Sequence, residues 1–442
     1  MGSLRVLTVA AALACAAAPA FAQDALRLAP QAAAELRGLC TRDGGGLWGA
    51  SLCGPLLVAD PATRAVWATD PDADGRFRFN NDGWMGVLPE GVPIANAAVE
   101  WGGQRWIMVV GPLPEGQADL RVLVGHEAWH RVQDQLRLAQ APSNCVHLES
   151  EQGRYLLRLE MRALSTALRS RGGARTEAAM DALGFRSARL ARFADVEADA
   201  HETSLDRNEG LASYTGVRLG AGDAADAYAA RTLDQYDAHQ AYARAYAYAT
   251  GPAYGLLLDQ YREGWRSEIT RDSYAPASLL AASLRAEAPS QRQLRRTAER
   301  YGGEAIAREE AARATAQRAR IAELRARFTG PRLELPLMQM QFEFDPTAVT
   351  PVEGLGSVYE TLTLRDAWGE IRASGGYALI NPTFTRLTAA SPTTGGVTGP
   401  GWSLTLAPGY RVSTPDAQGV VRVEAIPPPM APPQEAPSPG LE

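Results

Sequence analysis

The tightest constraint on this chain is the stretch Val122-Leu123-Val124-Gly125-His126-Glu127-Ala128-Trp129-His130. Its apolar spacing reads as a helix, and residues four apart on a helix lie about 40° from each other around the axis. His126 and His130 therefore share a face, within reach of one metal ion. Glu127, beside the first histidine, can reach a water held there. Only five histidines occur in 442 residues, so a chance H-E-x-x-H match has odds on the order of a few in a thousand. Zinc at such a site needs a third protein ligand and one open position.

The third ligand does not follow closely. Arg131 to Ala141 contains neither a glycine nor a histidine, which excludes completion by a third histidine just after the helix. His147 falls in a turn-like context after Pro142. His201-Glu202 imitates a second H-E start, but Leu205 stands where the second histidine belongs. A carboxylate on another helix remains. Asn208-Glu209-Gly210-Leu211-Ala212 resembles the N-E-G-x-A segment of gluzincin metallopeptidases, proteins of the peptidase MA type, and the resemblance covers residues 119–260.

That resemblance implies a Zn2+ ion held by His126, His130 and Glu209, with Glu127 as general base and a peptide or protein as substrate. It also implies a zincin-like helical core and an oxyanion donor from a downstream helix. Tyr248 and Tyr254, on either side of Gly251-Pro252, are the preferred candidates, with Tyr246 beside them. Two departures stand out. Ala128 occupies a place where these peptidases carry a bulky apolar residue, with Trp129 supplying bulk one position later. Seventy-eight residues separate His130 from Glu209, room for two extra helices joined by short loops. Glu202 and Asp206 lie on nearly the same stretch as Glu209 and stay open as alternative ligands.

Around this centre the chain divides by pattern. Residues 1–22 have the marks of a signal peptide: Arg5, an apolar run from Val6 to Ala18, then Pro19 and Ala20-Phe21-Ala22 as a cleavage site after Ala22. Export to the periplasm or beyond is the expectation. Residues 23–115 read as a short helix followed by a β-rich lobe. Its strands are Pro55–Asp60 and Ala65–Ala68, and its hairpin is Ala97–Trp101 with Arg105–Val110 around Gly102-Gly103. Arg105–Val110 reads as an interior strand; as an edge it would offer a peptide a partner for strand addition.

Residues 116–330 are helical by period. Arg154–Ser170 and Ala178–Asp206 carry helical spacing, Tyr242–Tyr261 is broken at Gly251-Pro252, and Glu304–Phe328 is a long charged helix. Residues 331–426 return to period two as a small antiparallel β domain, with strands at 339–344, 358–364 and 403–406. Residues 427–442 form a Pro-rich tail, expected to be disordered. The fold class is thus α+β: a mainly helical core, an N-terminal β-rich lobe and a C-terminal β domain.

Composition narrows the function further. The 44 basic residues are all arginine, yet net charge is −6, so nothing favours nucleic acid or an anionic membrane surface. No stretch approaches the ~20 apolar residues of a membrane span. Cys40 and Cys53 flank Gly44-Gly45-Gly46 and can close that loop as a disulfide in an oxidising compartment. Cys145, left unpaired, reads as a buried apolar residue. An exported zinc metallohydrolase, acting on peptide bonds, is the first expectation. An exported binding or envelope-structural protein with a vestigial or structural zinc site is the alternative, and hydrolysis of a non-peptide amide is a third class.

Overall fold

The computed structural model describes residues 24–138, 141–272, 274–345 and 348–427. The expected signal peptide and most of the Pro-rich tail lie outside those residues. The architecture is α+β, in two compact units divided at Ala311/Ala312.

The first unit opens with α1 (Ala29–Asp43) and a six-stranded sheet: β1 (Leu56–Ala59), β2 (Ala65–Ala68), β3 (Arg78–Asn80), β4 (Gly83–Val87), β5 (Ala97–Trp101) and β6 (Gln104–Val110). The order is β3-β4-β2-β1-β6-β5. Neighbours run antiparallel except β1 and β6, which pair in parallel with Leu57 opposite Met108. Period two sorts the side chains onto two faces. Leu56, Val58, Ile107 and Val109 enter the main core shared with the helices. Leu57, Ala59, Trp106 and Met108 face a smaller core closed by Phe77, Leu88 and Val92. The β-rich lobe and the helical region thus share one core and one compact unit.

Helix α2 (Gln117–Val132) packs on this sheet and carries both site histidines. It is followed by α3 (Glu151–Arg169), α4 (Gly172–Arg192), α5 (Ala198–Leu205), a π turn at Asp206–Gly210, α6 (Leu211–Gly220), α7 (Ala225–Tyr236) and α8 (Tyr246–Tyr261). The helical run expected from Ala178 to Asp206 is interrupted after Arg192, where Glu197 takes a left-handed conformation (φ 52°). The break expected at Gly251-Pro252 does not occur: α8 runs straight through Pro252. Short helices α9 (Trp265–Arg271), α10 (Pro276–Leu284) and α11 (Gln291–Arg300) lead to the long α12 (Gly303–Thr329).

The Cys40–Cys53 disulfide is formed, with Cα atoms 5.2 Å apart. It closes a loop that inserts Trp48 into the helical core. The Trp48 indole donates to Thr215 Oγ1 at 2.8 Å and meets the Trp129 ring edge-on at 5.9 Å. Trp129 and Ala128 are fully buried, and the Trp129 ring meets that of its neighbour His130 edge-on at 5.5 Å. The bulk at Trp129 thus anchors the helix beside His130, between that ring and Trp48.

In the second unit, β7 (Arg332–Pro336), β8 (Gln341–Phe344), β9 (Val349–Val352), β10 (Gly356–Asp366), β11 (Gly369–Ile380), β12 (Arg386–Ala390), β13 (Thr398–Gly399), β14 (Trp402–Leu406), β15 (Tyr410–Val412) and β16 (Val420–Ala425) enclose Trp368, Leu333, Leu335 and Ile371. The pairing is antiparallel as expected, except that β16 joins β7 in parallel.

Candidate metal centre

Two helices must approach closely to bring Glu209 to the histidines, and glycines let them. Gly216 on α6 lies against the Val122 carbonyl of α2, where any Cβ would overlap it. Gly251 on α8 lies in the same way against the Gly210 backbone. These two crossings seat the π turn and α8 beside α2.

There His126 Nε2 and His130 Nε2 are 3.1 Å apart. Glu209 Oε2 is 3.3 Å from the first and 3.5 Å from the second. Ligand atoms 2.0–2.1 Å from a tetrahedral zinc are separated by about 3.3 Å. The triangle therefore has the size of one face of such a tetrahedron. Glu209 Oε2 is buried and accepts no hydrogen bond, and so is Glu127 Oε2; orphaned buried oxygens are rare and call for a reason. Two facing imidazole nitrogens and an unsatisfied carboxylate oxygen suit a divalent cation. The donor set fits zinc.

The other ring nitrogens are held in place. Gln133 Nε2 donates to Leu138 O at 2.6 Å and to Asn208 Oδ1 at 3.0 Å. Its Oε1 therefore faces His130 Nδ1 at 2.9 Å and accepts its proton, leaving the Nε2 lone pair free. Asn208 in turn donates to Glu209 Oε1 at 2.8 Å. One chain of hydrogen bonds thus joins His130 to Glu209 across two elements. Ser213 Oγ lies 3.2 Å from His126 Nδ1. Gln133, Asn208 and Ser213 were not singled out from the sequence. Two of them had a signal: Gln133 is three residues past His130 and Ser213 four past Glu209, both same-face spacings.

Glu202 and Asp206 are committed elsewhere. Glu202 accepts from Arg189 at 2.7 and 2.8 Å and sits 2.8 Å from His147 Nε2, while Asp206 meets Arg186 at 2.6 Å. The wider π turn rotates Glu209 off the face that Glu202 and Asp206 share, toward the histidines. His201 is also apart, with Nδ1 taking the Asn144 amide.

The two tyrosines separate. Tyr248 stacks on the His126 ring at 5.4 Å and 10°, and lines the cleft above the triangle. Tyr254 does not reach the site. It is buried among the arginine–carboxylate pairs, with its hydroxyl on Glu160 Oε1 at 2.6 Å. Tyr246 likewise turns its hydroxyl to the Glu202 carbonyl at 3.0 Å. Six residues along a helix amount to a turn and two-thirds, so Tyr248 and Tyr254 could not both face the cleft.

Electrostatics assign roles. Burial pushes the Glu127 carboxyl above its ordinary range, with Glu209 adding to the rise and the two imidazoles opposing it. Burial acts the same way on Glu209, but there His126 and His130 win and hold the carboxyl well below the ordinary range. Burial, then Glu209, raises the Tyr248 phenol far above neutrality, so it keeps its proton and remains a donor.

All of this lies on the floor of a cavity of about 640 Å³. Ala97 and Ala98 of β5 form part of its rim. Arg105–Val110 belongs to β6, an interior strand; the sheet edge beside the cleft is β5. Among the described residues no helix is long and apolar enough to cross a membrane. No protein-family model, curated protein or solved structure matches this chain.

Proposed function

We propose that this chain is an exported zinc-dependent hydrolase that cleaves peptide bonds. The triangle of His126 Nε2, His130 Nε2 and Glu209 Oε2, with Glu127 beside it in an open cleft, carries the reading. A zinc ion held by those three residues supplies a Lewis acid that polarises an amide carbonyl and lowers the pKa of a water. Glu127 takes the proton from the attacking water and delivers it to the amine as the carbon–nitrogen bond breaks. Tyr248 directs its phenol proton at the oxyanion that develops on the carbonyl oxygen. The free edge of β5 offers backbone pairing to an extended peptide.

The open cleft favours this reading over a structural zinc, whose sites are closed by four protein ligands. The likeness of Asn208–Ala212 to the gluzincin segment supports it. Export is supported by Ala20-Phe21-Ala22 and accords with the Cys40–Cys53 disulfide, since such bonds persist in oxidising compartments. Metal analysis of the mature protein tests the ligand set: about one zinc per chain, lost in Glu209→Ala. Zinc retained equally in that variant overturns it. Glu127→Gln is expected to keep zinc while hydrolysis of a peptide library falls by at least ~100-fold; no cleavage by the wild-type chain overturns the peptidase reading.

A further inference from the structure

The cleft has an end that peptide hydrolysis as such does not require. Asp119 stands seven residues before His126 on the same face of α2, about 10 Å along the axis. Val122 lies between them, and Val217, Tyr228 and Tyr236 come from α6 and α7 to wall the same cavity. The outcome is an apolar and aromatic trough that leads from the histidines to a carboxylate. Asp119 Oδ1 accepts the Tyr228 hydroxyl at 2.7 Å. Arg105, the cleft's arginine, is engaged beyond His130 by Asp134 at 2.9 Å and Glu100 at 3.5 Å. Arg231 lies over the Tyr228 ring at 4.9 Å. Among the described residues, neither arginine forms an ion pair with Asp119.

We propose that Asp119 and this trough form a specificity subsite for a side chain with an apolar stem and a cationic head. The preferred substrates are then peptides with arginine or lysine close to the scissile bond. The inference rests on the hydrolase reading above and names its substrate class. Of the other cleft carboxylates, Glu209 lies against His126 and His130, Glu127 lies beside them, and Asp134 pairs with Arg105, whereas Asp119 is solvent-exposed and has no ion-pair partner among the described residues. A methylene stem is at home on Val122, Val217 and the tyrosine rings, and the cationic head gains both the carboxylate and the face of an aromatic ring. The helix dipole explains an acidic residue in the first turn of α2. It does not explain an apolar trough that ends on one.

The test uses peptide pairs that differ only by arginine or citrulline at each position around the cleaved bond. Their kcat/KM is measured on the zinc-loaded chain and their Kd on Glu127→Gln. At one position arginine is expected to win by roughly tenfold in both assays. Asp119→Asn is expected to erase that ratio, and Asp119→Arg to favour a third peptide with glutamate at that position over the arginine one, a gain that a merely structural role does not produce. Val217→Trp fills the trough without altering charge and is expected to erase the ratio too, so the idea remains testable if an Asp119 variant fails to fold. Equal values for arginine and citrulline at every position, or an unchanged ratio in Asp119→Asn, overturns the subsite and leaves the hydrolase reading intact. A binding preference without cleavage of any peptide keeps the subsite and sinks the hydrolase reading. No binding of either peptide overturns both.

Discussion

Gln133 and Asn208 matter because a hydrogen bond to one imidazole nitrogen fixes the tautomer and ring orientation that present the other nitrogen to a metal. Gln133 spends all three of its polar contacts, on His130, Leu138 and Asn208, so its orientation has no slack. Gln133→Ala frees the His130 ring and cuts the link to Glu209, and is expected to weaken zinc binding by about 10–100-fold in a chelator competition. Behind the site, Glu202 makes a different contribution. Burial opposes its ionisation, yet Arg189, Arg186 and His147 outweigh burial and hold its carboxyl well below the ordinary range. The folded chain therefore binds that proton less readily than the unfolded one, whose glutamate titrates near ~4.3. The stabilisation is complete above that pH and disappears as pH falls through and below it. Glu202→Gln is expected to cost about 3–5 kcal/mol at pH 7, because it breaks a fully buried ion pair with Arg189. In urea melts the gap from the wild-type chain should close as pH falls from about 5 toward 3; a gap that stays constant counts against the ion pair as its source.

At the scale of elements, what was legible depended on whether the deciding contact was local. The hairpin of β5 and β6 and the helix α2 follow from period and turn residues within a dozen positions, and both form where expected. His126, Glu127 and His130 were legible for the same reason, and Glu209 through a short motif. The path of α8 was not. A proline inside a helix removes one hydrogen bond and normally kinks or ends it. Here the backbone of α8 lies against the π turn at Gly210, a contact between positions 41 residues apart that no local pattern announces. Reading a break there made Tyr254 look equivalent to Tyr248, whereas an unbroken helix turns one to the cleft and the other to Glu160. The Gly210–Gly251 contact carries its own consequence. Gly251→Ala forces α8 away from the π turn at a cost of about 1–3 kcal/mol. Because that turn carries Glu209, zinc affinity should fall with stability. A variant that loses stability but binds zinc as tightly as the wild-type chain would show that the π turn does not depend on this crossing.

For the whole molecule, the two units divide the chemistry unequally. All five histidines and all the cysteines precede Ala312, and each unit closes its own core: Trp129 and Tyr214 in the first, Trp368 in the second. On the proposed ligand set, zinc and reductant therefore act on the first unit only. Calorimetry of the mature chain should resolve two transitions, since each core can melt as its own cooperative unit. Saturating zinc, at about a thousand times its Kd, stabilises the state that binds it by ~4 kcal/mol. That shift should appear in one transition and be absent in Glu209→Ala. The Cys40–Cys53 loop spans 13 positions, and a loop of this size is worth about 3 kcal/mol through the unfolded chain. Reductant, or the paired Cys40→Ser and Cys53→Ser change, should lower that same transition, because the loop holds Trp48 against the helix that bears the histidines. Zinc and reductant acting on different transitions would mean that the disulfide loop and the metal centre do not belong to one folding unit.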